Sequence, residues 1–209
     1  RPDERFAHVG TIATIQELSG NRLVSRAIDN KVSGYLLARV LEQLKGESSR
    51  PAATVHAVNA VQEEVGGNGA AMVAHRLQPD LALVFDVTHA TDTPGVDKKK
   101  YGEIKLGGGP SLTHGTANHP ALVKRLMAVA EKANIPIQHE AISRFSGTDT
   151  DKIFISRSGI PSALVSIPLR YMHSPVETVD LRDVEHTIAL VTVFIKDLKA
   201  DEEFAHSLA

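Results

Sequence analysis

The sequence contains no cysteine and no tryptophan. Without cysteine there are no disulfides and no thiolate metal ligands, which fits a reducing compartment, so the expected localisation is cytoplasmic. Aromatic residues are only 4% of the 209 positions, leaving few platforms on which a sugar ring can stack. Neither sign of charge dominates: 23 Lys and Arg stand against 25 Asp and Glu, so neither a nucleic acid nor a membrane surface is an expected partner. The one basic run, residues 98–100, is short enough for a solvated loop. No apolar run reaches the roughly 20 residues of a membrane-spanning helix. Residues 1–5 lead into no apolar stretch of the kind a secretory signal needs.

What is present is ordinary for a globular domain, with 42% hydrophobic residues and enough length for one real core. Short strands are expected within 6–28, turning at Ser19-Gly20-Asn21 and closing on Arg22-Leu23-Val24-Ser25. Behind Asp29 and Asn30, the spacing of Val32, Leu36, Val40 and Leu44, with Leu37 and Leu41, predicts a helix that stops at Gly46. A strand over 54–61 leads to Glu63-Glu64, and a helix over 66–78 ends at Gln78-Pro79-Asp80. The unbroken apolar run at 81–85 predicts a strand buried on both faces that stops at Asp86. A short strand is expected at 102–106, and Pro120 suits the first turn of a helix carrying Leu122, Val123, Leu126, Met127, Ala130 and Ala133. Further expectations are a strand at 135–142, a helix at 148–158 and a strand at 161–167 ending at Pro168. A last helix is capped by Asp180 and striped by Val184, Ile188, Val191, Ile195 and Leu198. Strands separated by helices predict an α/β fold with a mixed, largely parallel central sheet and helices on both faces.

In such sheets functional groups gather beyond the carboxyl ends of strands. Glu63-Glu64, Asp86 and His173 stand at expected strand ends, and Asp29 at a helix start. Adjacent glutamates at a strand end point to opposite sides, so one can hold a metal while the other handles protons. Carboxylates and imidazole are the donor set of divalent zinc, cobalt or manganese. Each residue also has a plainer reading: a solvated Glu-Glu pair, a helix cap at Asp29, a strand-end turn at Asp86, a loop histidine. Other motif classes fail. Gly107-Gly108-Gly109-Pro110 lacks the sequel of a phosphate loop, no dinucleotide fingerprint occurs, and no G-x-S-x-G elbow is present.

Several motifs occur in order: Ala27-Ile28-Asp29-Asn30-Lys31, Glu63-Glu64-Val65-Gly66 with Gly69-Ala70, and Asp86-Val87-Thr88-His89-Ala90 with Asp92-Thr93-Pro94-Gly95. Gly147-Thr148-Asp149 and Tyr171-Met172-His173-Ser174 with Glu177 follow. Together they resemble the metal-dependent aminopeptidases of the glutamyl aminopeptidase family, whose archaeal members form tetrahedral (TET) particles and whose bacterial members are often labelled endoglucanase. The resemblance implies a zinc-exopeptidase-like fold. It implies two divalent ions, zinc or cobalt, with Asp29 bridging them, Glu64 and His173 completing one site and Asp86 serving the other. It implies Glu63 as general base and Gly147, Thr148 and Asp149 as lining of the substrate cleft. Oligopeptides are the implied substrates, and a homo-oligomer from dimer to dodecamer the implied assembly.

The sequence departs from the family at Lys31 and at Gly67-Asn68, neither of them a ligand. The family's first metal histidine and a nearby aspartate belong to a segment preceding everything here, so one metal site is expected to be incomplete. His8 stands in the wrong context to replace that histidine. Residues 1–25 are read as the tail of a small β lid domain and 26–209 as the catalytic domain without its N-terminal part. The alternatives are an assembly module that kept the scaffold and lost catalysis, or a glycoside hydrolase, which needs two flanking carboxyl groups and no metal.

Overall fold

A computed structural model describes residues 16–18, 20–45 and 51–204. The elements run β1 (Gln16–Leu18), β2 (Arg22–Ser25), α1 (Ile28–Lys45), α2 (Asn68–Leu77), β3 (Ala82–His89), α3 (Lys98–Tyr101) and β4 (Ser111–Gly115). They continue with α4 (Pro120–Ala133), β5 (Gln138–Ile142), α5 (Thr150–Ile153), β6 (Ser162–Arg170), β7 (Glu177–Asp180) and α6 (Leu181–Asp197). The strands form one sheet in the order β1-β2-β7-β6-β4-β5, with β3 also paired to β6. The sheet is mixed, and its two longest ladders, β3 with β6 and β4 with β5, are parallel. Strands expected before residue 16, the helix stop at Gly46 and His8 lie outside the described residues. Among the described residues no helix is long and apolar enough to cross a membrane.

β6 organises the sheet. Ala163, Val165, Ile167 and Leu169 alternate onto one face and enter the main hydrophobic core with Leu36 and Val40 of α1, Leu122 and Leu126 of α4, and Ile188 and Val191 of α6. Ser162, Leu164 and Ser166, on the other face, are buried as well. The stripe read from α6 is buried throughout and that of α4 is buried apart from the partly buried Met127 and Ala133, and of the stripe read from α1 only Leu41 is exposed. α2 and α5 pack on each other and supply no residue to that core. Pro168 does not end β6, because it sits where β6 passes from β4 (up to Ser166) to β7 (from Leu169). A missing N–H is tolerated at such a break in a ladder.

Other expected elements differ for identifiable reasons. β3 continues through Asp86 to His89 in register with β6, and it is paired along that edge alone among the described residues, so Leu83 and Phe85 are only partly buried. Among the described residues no ladder forms at 54–61, where the chain is irregular and mostly exposed. At 102–106 side chains do the work of a strand. Thr91 bonds both the N–H and the carbonyl of Ile104, and Gln138 does the same for Lys105. The helix expected at 148–158 is a single turn, α5, and the positive φ of Arg157 and Gly159 forbids its continuation. β4 and β7 were hidden by their polar residues.

The glycine run at 107–109 is held by α6. Asp183, fully buried, accepts from Gly107 N and Gly109 N, both at 2.7 Å. Gly109 has φ 89, and a Cβ there would lie 2.0 Å from the Pro136 carbonyl oxygen, so no larger residue fits. Burial pushes the Asp183 carboxyl up to about 6 even though both amides stabilise its charge. The folded chain therefore keeps this proton where an unfolded aspartate, titrating near about 3.9, has lost it. The contribution of Asp183 to stability falls as pH rises from about 4 to about 6 and is level above that.

Asp183→Ala should strand both amides and lower stability by about 2–6 kcal/mol in urea unfolding at neutral pH, at about 1–3 kcal/mol per buried group left unpaired. A loss below about 1 kcal/mol would show that the loop is held by other contacts.

Candidate metal centre

Asp29 lies four residues past the end of β2, where the backbone is not yet helical (φ −74, ψ 108). The peptide joining it to Asn30 is cis. Asn30 takes the capping role, its Oδ1 accepting from Ser33 N at 3.3 Å. The Asp29 carboxylate is thereby left to face His173. The Asn30 Nδ2 donates to the Phe85 carbonyl and to Asp86 Oδ1, both at 3.0 Å, tying the start of α1 to β3.

Glu63 and Glu64 do not end a strand. They sit in a hydrogen-bonded turn, closed by Gly66 N to Glu63 O at 3.0 Å and Gly67 N to Gln62 O at 2.8 Å, that opens directly into α2. Gly67 has φ 65, and a Cβ on it would stand 2.9 Å from Lys152 Cγ and 3.1 Å from Asp149 Oδ1. Glycine here lets the Asp149 end of α5 come up against the turn. His173 lies between β6 and β7 with φ 61, a left-handed conformation that costs a residue other than glycine about 1–2 kcal/mol. Its N–H donates to Glu177 Oε1 at 3.0 Å, while the N–H of Asp29 donates to Glu177 Oε2, also at 3.0 Å.

The fold thus converges Asp29, Glu64 and His173, whose ligand atoms all lie within 4.8 Å of one another. His173 Nε2 is 3.1 Å from Asp29 Oδ2 and 3.5 Å from Glu64 Oε2. Ligands held about 2.0–2.2 Å from a tetrahedral zinc stand about 3.3–3.6 Å apart, so this donor set fits a divalent ion with little rearrangement. Asp86 is outside that trio. It is buried in β3, where Oδ1 accepts from Val87 N at 2.8 Å as well as from Asn30.

Electrostatics mark the same place. Burial, then the charges of Glu64 and Glu177, hold the Asp29 carboxyl above the usual range, against the pull of His173. Burial, then Asp149, Glu64 and Asp29, push Glu63 up to about 7. Burial lifts Asp86 to about 8, opposed by the Val87 N–H and reinforced by Glu63, Asp29 and Asp149. Asp149 is raised by burial, and among the described residues its Oδ1 has no hydrogen-bond partner. Crowded carboxyl groups raised together are a mark of a functional site, and a divalent cation relieves their repulsion.

Of the expected cleft residues, Asp149 lies near enough to Glu63 to shift it. Gly147 and Thr148 belong to a loop bonded to itself, with Asp151 accepting from Ser146 N and Gly147 N. The following loop of β3 is pinned where Asp92 takes two bonds from Arg170, at 3.1 and 2.8 Å. Burial opposes the charge of Asp92, but these bonds outweigh it and hold the carboxyl below its usual range. Sequence reasoning named Asn30 and Glu177 within motifs but gave neither a part in the site. The burial of Glu177 and its place at the head of β7 are visible only in the fold, so the sequence offered no signal beyond the motif itself.

Comparison with known proteins places the whole chain. Residues 7–190 match the profile of the M42 glutamyl aminopeptidase family. The chain is 35% identical over 201 residues to the lysyl aminopeptidase of Pyrococcus furiosus, covering 94% of this chain and 56% of that protein. An aminopeptidase structure from the archaeon Desulfurococcus kamchatkensis superposes with a TM-score of 0.82 at 37% identity, covering 90% of this chain and 53% of that one. The TET aminopeptidase of a marine-sediment Thaumarchaeota archaeon gives 0.81 at 33% identity, covering 88% and 52%. The chain therefore spans about half the length of these relatives. With the family profile matched over residues 7–190 and this extent of similarity, the chain belongs to the M42 glutamyl aminopeptidase family.

Proposed function

We propose that the protein is a metal-dependent aminopeptidase that removes N-terminal residues from oligopeptides. The convergence of Asp29, Glu64 and His173 beside Glu63 carries this reading. Asp29, Glu64 and His173 would hold one divalent ion, zinc or cobalt, and Asp29 with Asp86 would serve a second that has fewer donors here. A bound ion of this kind polarises a peptide carbonyl and acidifies water.

The remaining steps fall to this chain's own side chains. Glu63, beside Glu64 and raised by burial and by its acidic neighbours, takes a proton from the attacking water and returns it to the leaving amine. Asp149, half-buried next to that base, together with Gly147 and Thr148, lines the cleft. A carboxylate there is suited to the free α-ammonium of a substrate, which would restrict cleavage to amino termini. Residues 26–209 act as the catalytic domain. Residues 1–25 are assigned to a lid; of the described part of them, β1 ladders onto β2 and β2 onto β7.

A cytoplasmic homo-oligomer is part of the same reading, supported by the likeness to a protein described as a TET aminopeptidase. The second reading, an assembly module without catalysis, draws on the fewer donors at the Asp86 position. A glycoside hydrolase is disfavoured by the imidazole within the acid cluster and by the 4% aromatic content.

Glu63→Gln should lose about 10²–10⁴-fold in hydrolysis of an aminoacyl-anilide panel while metal content stays at the wild-type level. Retention of more than about a tenth of the turnover, on the scale a general base supplies, would reassign the roles within the Glu63-Glu64 pair.

Metal titration of the wild-type chain should find one tight equivalent, abolished by His173→Ala, and a second that is weak or missing. Two tight equivalents with full peptidase activity would mean that another residue completes the second site.

A further inference from the structure

We infer that Glu177 is a positioning residue whose single carboxylate holds Asp29 and His173 in the geometry that binds the ion. Its two oxygens are divided between the two ligands: Oε2 accepts from the backbone N–H of Asp29 and Oε1 from that of His173, each at 3.0 Å. These amides belong to the ligating residues themselves, one at the entry to α1 and the other in the turn between β6 and β7. The side chains of the same two residues also meet, His173 Nε2 standing 3.1 Å from Asp29 Oδ2, so Glu177 fixes from behind the backbones of a pair whose ligand atoms face each other.

Glu177 suits the task because its own backbone is fixed. It opens β7, pairs with Ser25 of β2, and is followed by Thr178 and Val179, which ladder onto Arg170 and Leu169 of β6. The side chain is buried, with 3% of the residue exposed. Both its oxygens are committed to backbone donors, and it stands outside the Asp29, Glu64 and His173 donor group. It accounts for the left-handed backbone of His173, because the bond from the His173 N–H fixes that peptide just where the turn places Nε2 opposite Asp29.

The chemistry demands a carboxylate. Glutamine of the same size offers one acceptor oxygen and a donor group, which would meet a second N–H and lose that bond. Aspartate keeps the charge but is one methylene shorter, so it reaches one amide and not both. Groups that orient metal ligands from behind typically change affinity about 10–100-fold when replaced.

This inference rests on the metal-centre reading above, and the test separates the two. Cobalt(II) affinity is measured by competition with a chromophoric chelator, and its visible spectrum recorded, for the wild type, Glu177→Gln, Glu177→Asp and Thr187→Val. Unfolding of each metal-free chain is followed in parallel. Thr187 is a buried α6 residue whose hydroxyl bonds the Asp183 carbonyl, so its variant reports a loss of stability outside the site.

Both Glu177 variants should bind cobalt about 10–100-fold more weakly with an altered visible band, while Thr187→Val unfolds more easily and keeps wild-type affinity and spectrum. Glu177→Asp carries the comparison alone if Glu177→Gln does not fold. Wild-type affinity and spectrum in the Glu177 variants would overturn the inference and leave the metal centre standing. So would an equal loss of affinity in Thr187→Val. A wild-type chain that takes up no cobalt would overturn the metal centre and the inference together.

Discussion

Burial of several carboxyl groups in one partly dry cleft, with their mutual repulsion added to it, is the constraint that the rest of this structure answers. Asp29, Glu63, Asp86 and Asp149 are all held above their usual range, and in each case burial is the largest cause. Left to itself such a cluster would spread into water, since each buried charge costs more than its local bonds return. It stays together because every contributing segment is tied down elsewhere. Asn30 joins α1 to β3, Glu177 joins α1 to the turn after β6, and Gly67 lets α5 close on the Glu63 turn.

β6 makes those ties possible. It pairs with β3 along one edge and with β4 and then β7 along the other, so the segments carrying Asp86, His173 and Glu177 are all referred to one strand. The same strand sends Val165, Ile167 and Leu169 into the core with α1, α4 and α6. Core packing thus sets the position of the site: the energy that fixes the ligands comes from apolar burial, and the hydrogen bonds around them select the geometry. Glu64 and His173 remain open to solvent, with side chains 59% and 64% exposed, whereas Asp29 is 9% exposed. An ion there would have one buried anchor and two reachable ligands, which suits a site that must admit a peptide.

Much of this was legible in the residues themselves. Periodicity alone picked out the buried stripes of α4 and α6, because Leu122, Leu126, Ile188 and Val191 repeat at helical spacing and apolar residues at that spacing have one face to bury. Asp180 as a cap followed from local chemistry and is observed, accepting from Arg182 N at 3.0 Å. The sequence also named every residue of the Asp29, Glu64 and His173 trio, through motifs whose order carried a family resemblance.

What only the tertiary structure decided was where strands begin and end, and what holds the ligands. A strand is defined by its partner, so 54–61 has strand-like residues without a ladder, and 102–106 is satisfied by the side chains of Thr91 and Gln138. β7 is too short and too polar to announce itself, yet it carries Glu177. The bonds from Glu177 to Asp29 and His173 run from one carboxylate to two backbone amides, one of them 148 residues away. Local sequence encodes helices because their hydrogen bonds close within a few residues; it is silent on bonds whose two ends meet only after the sheet has formed.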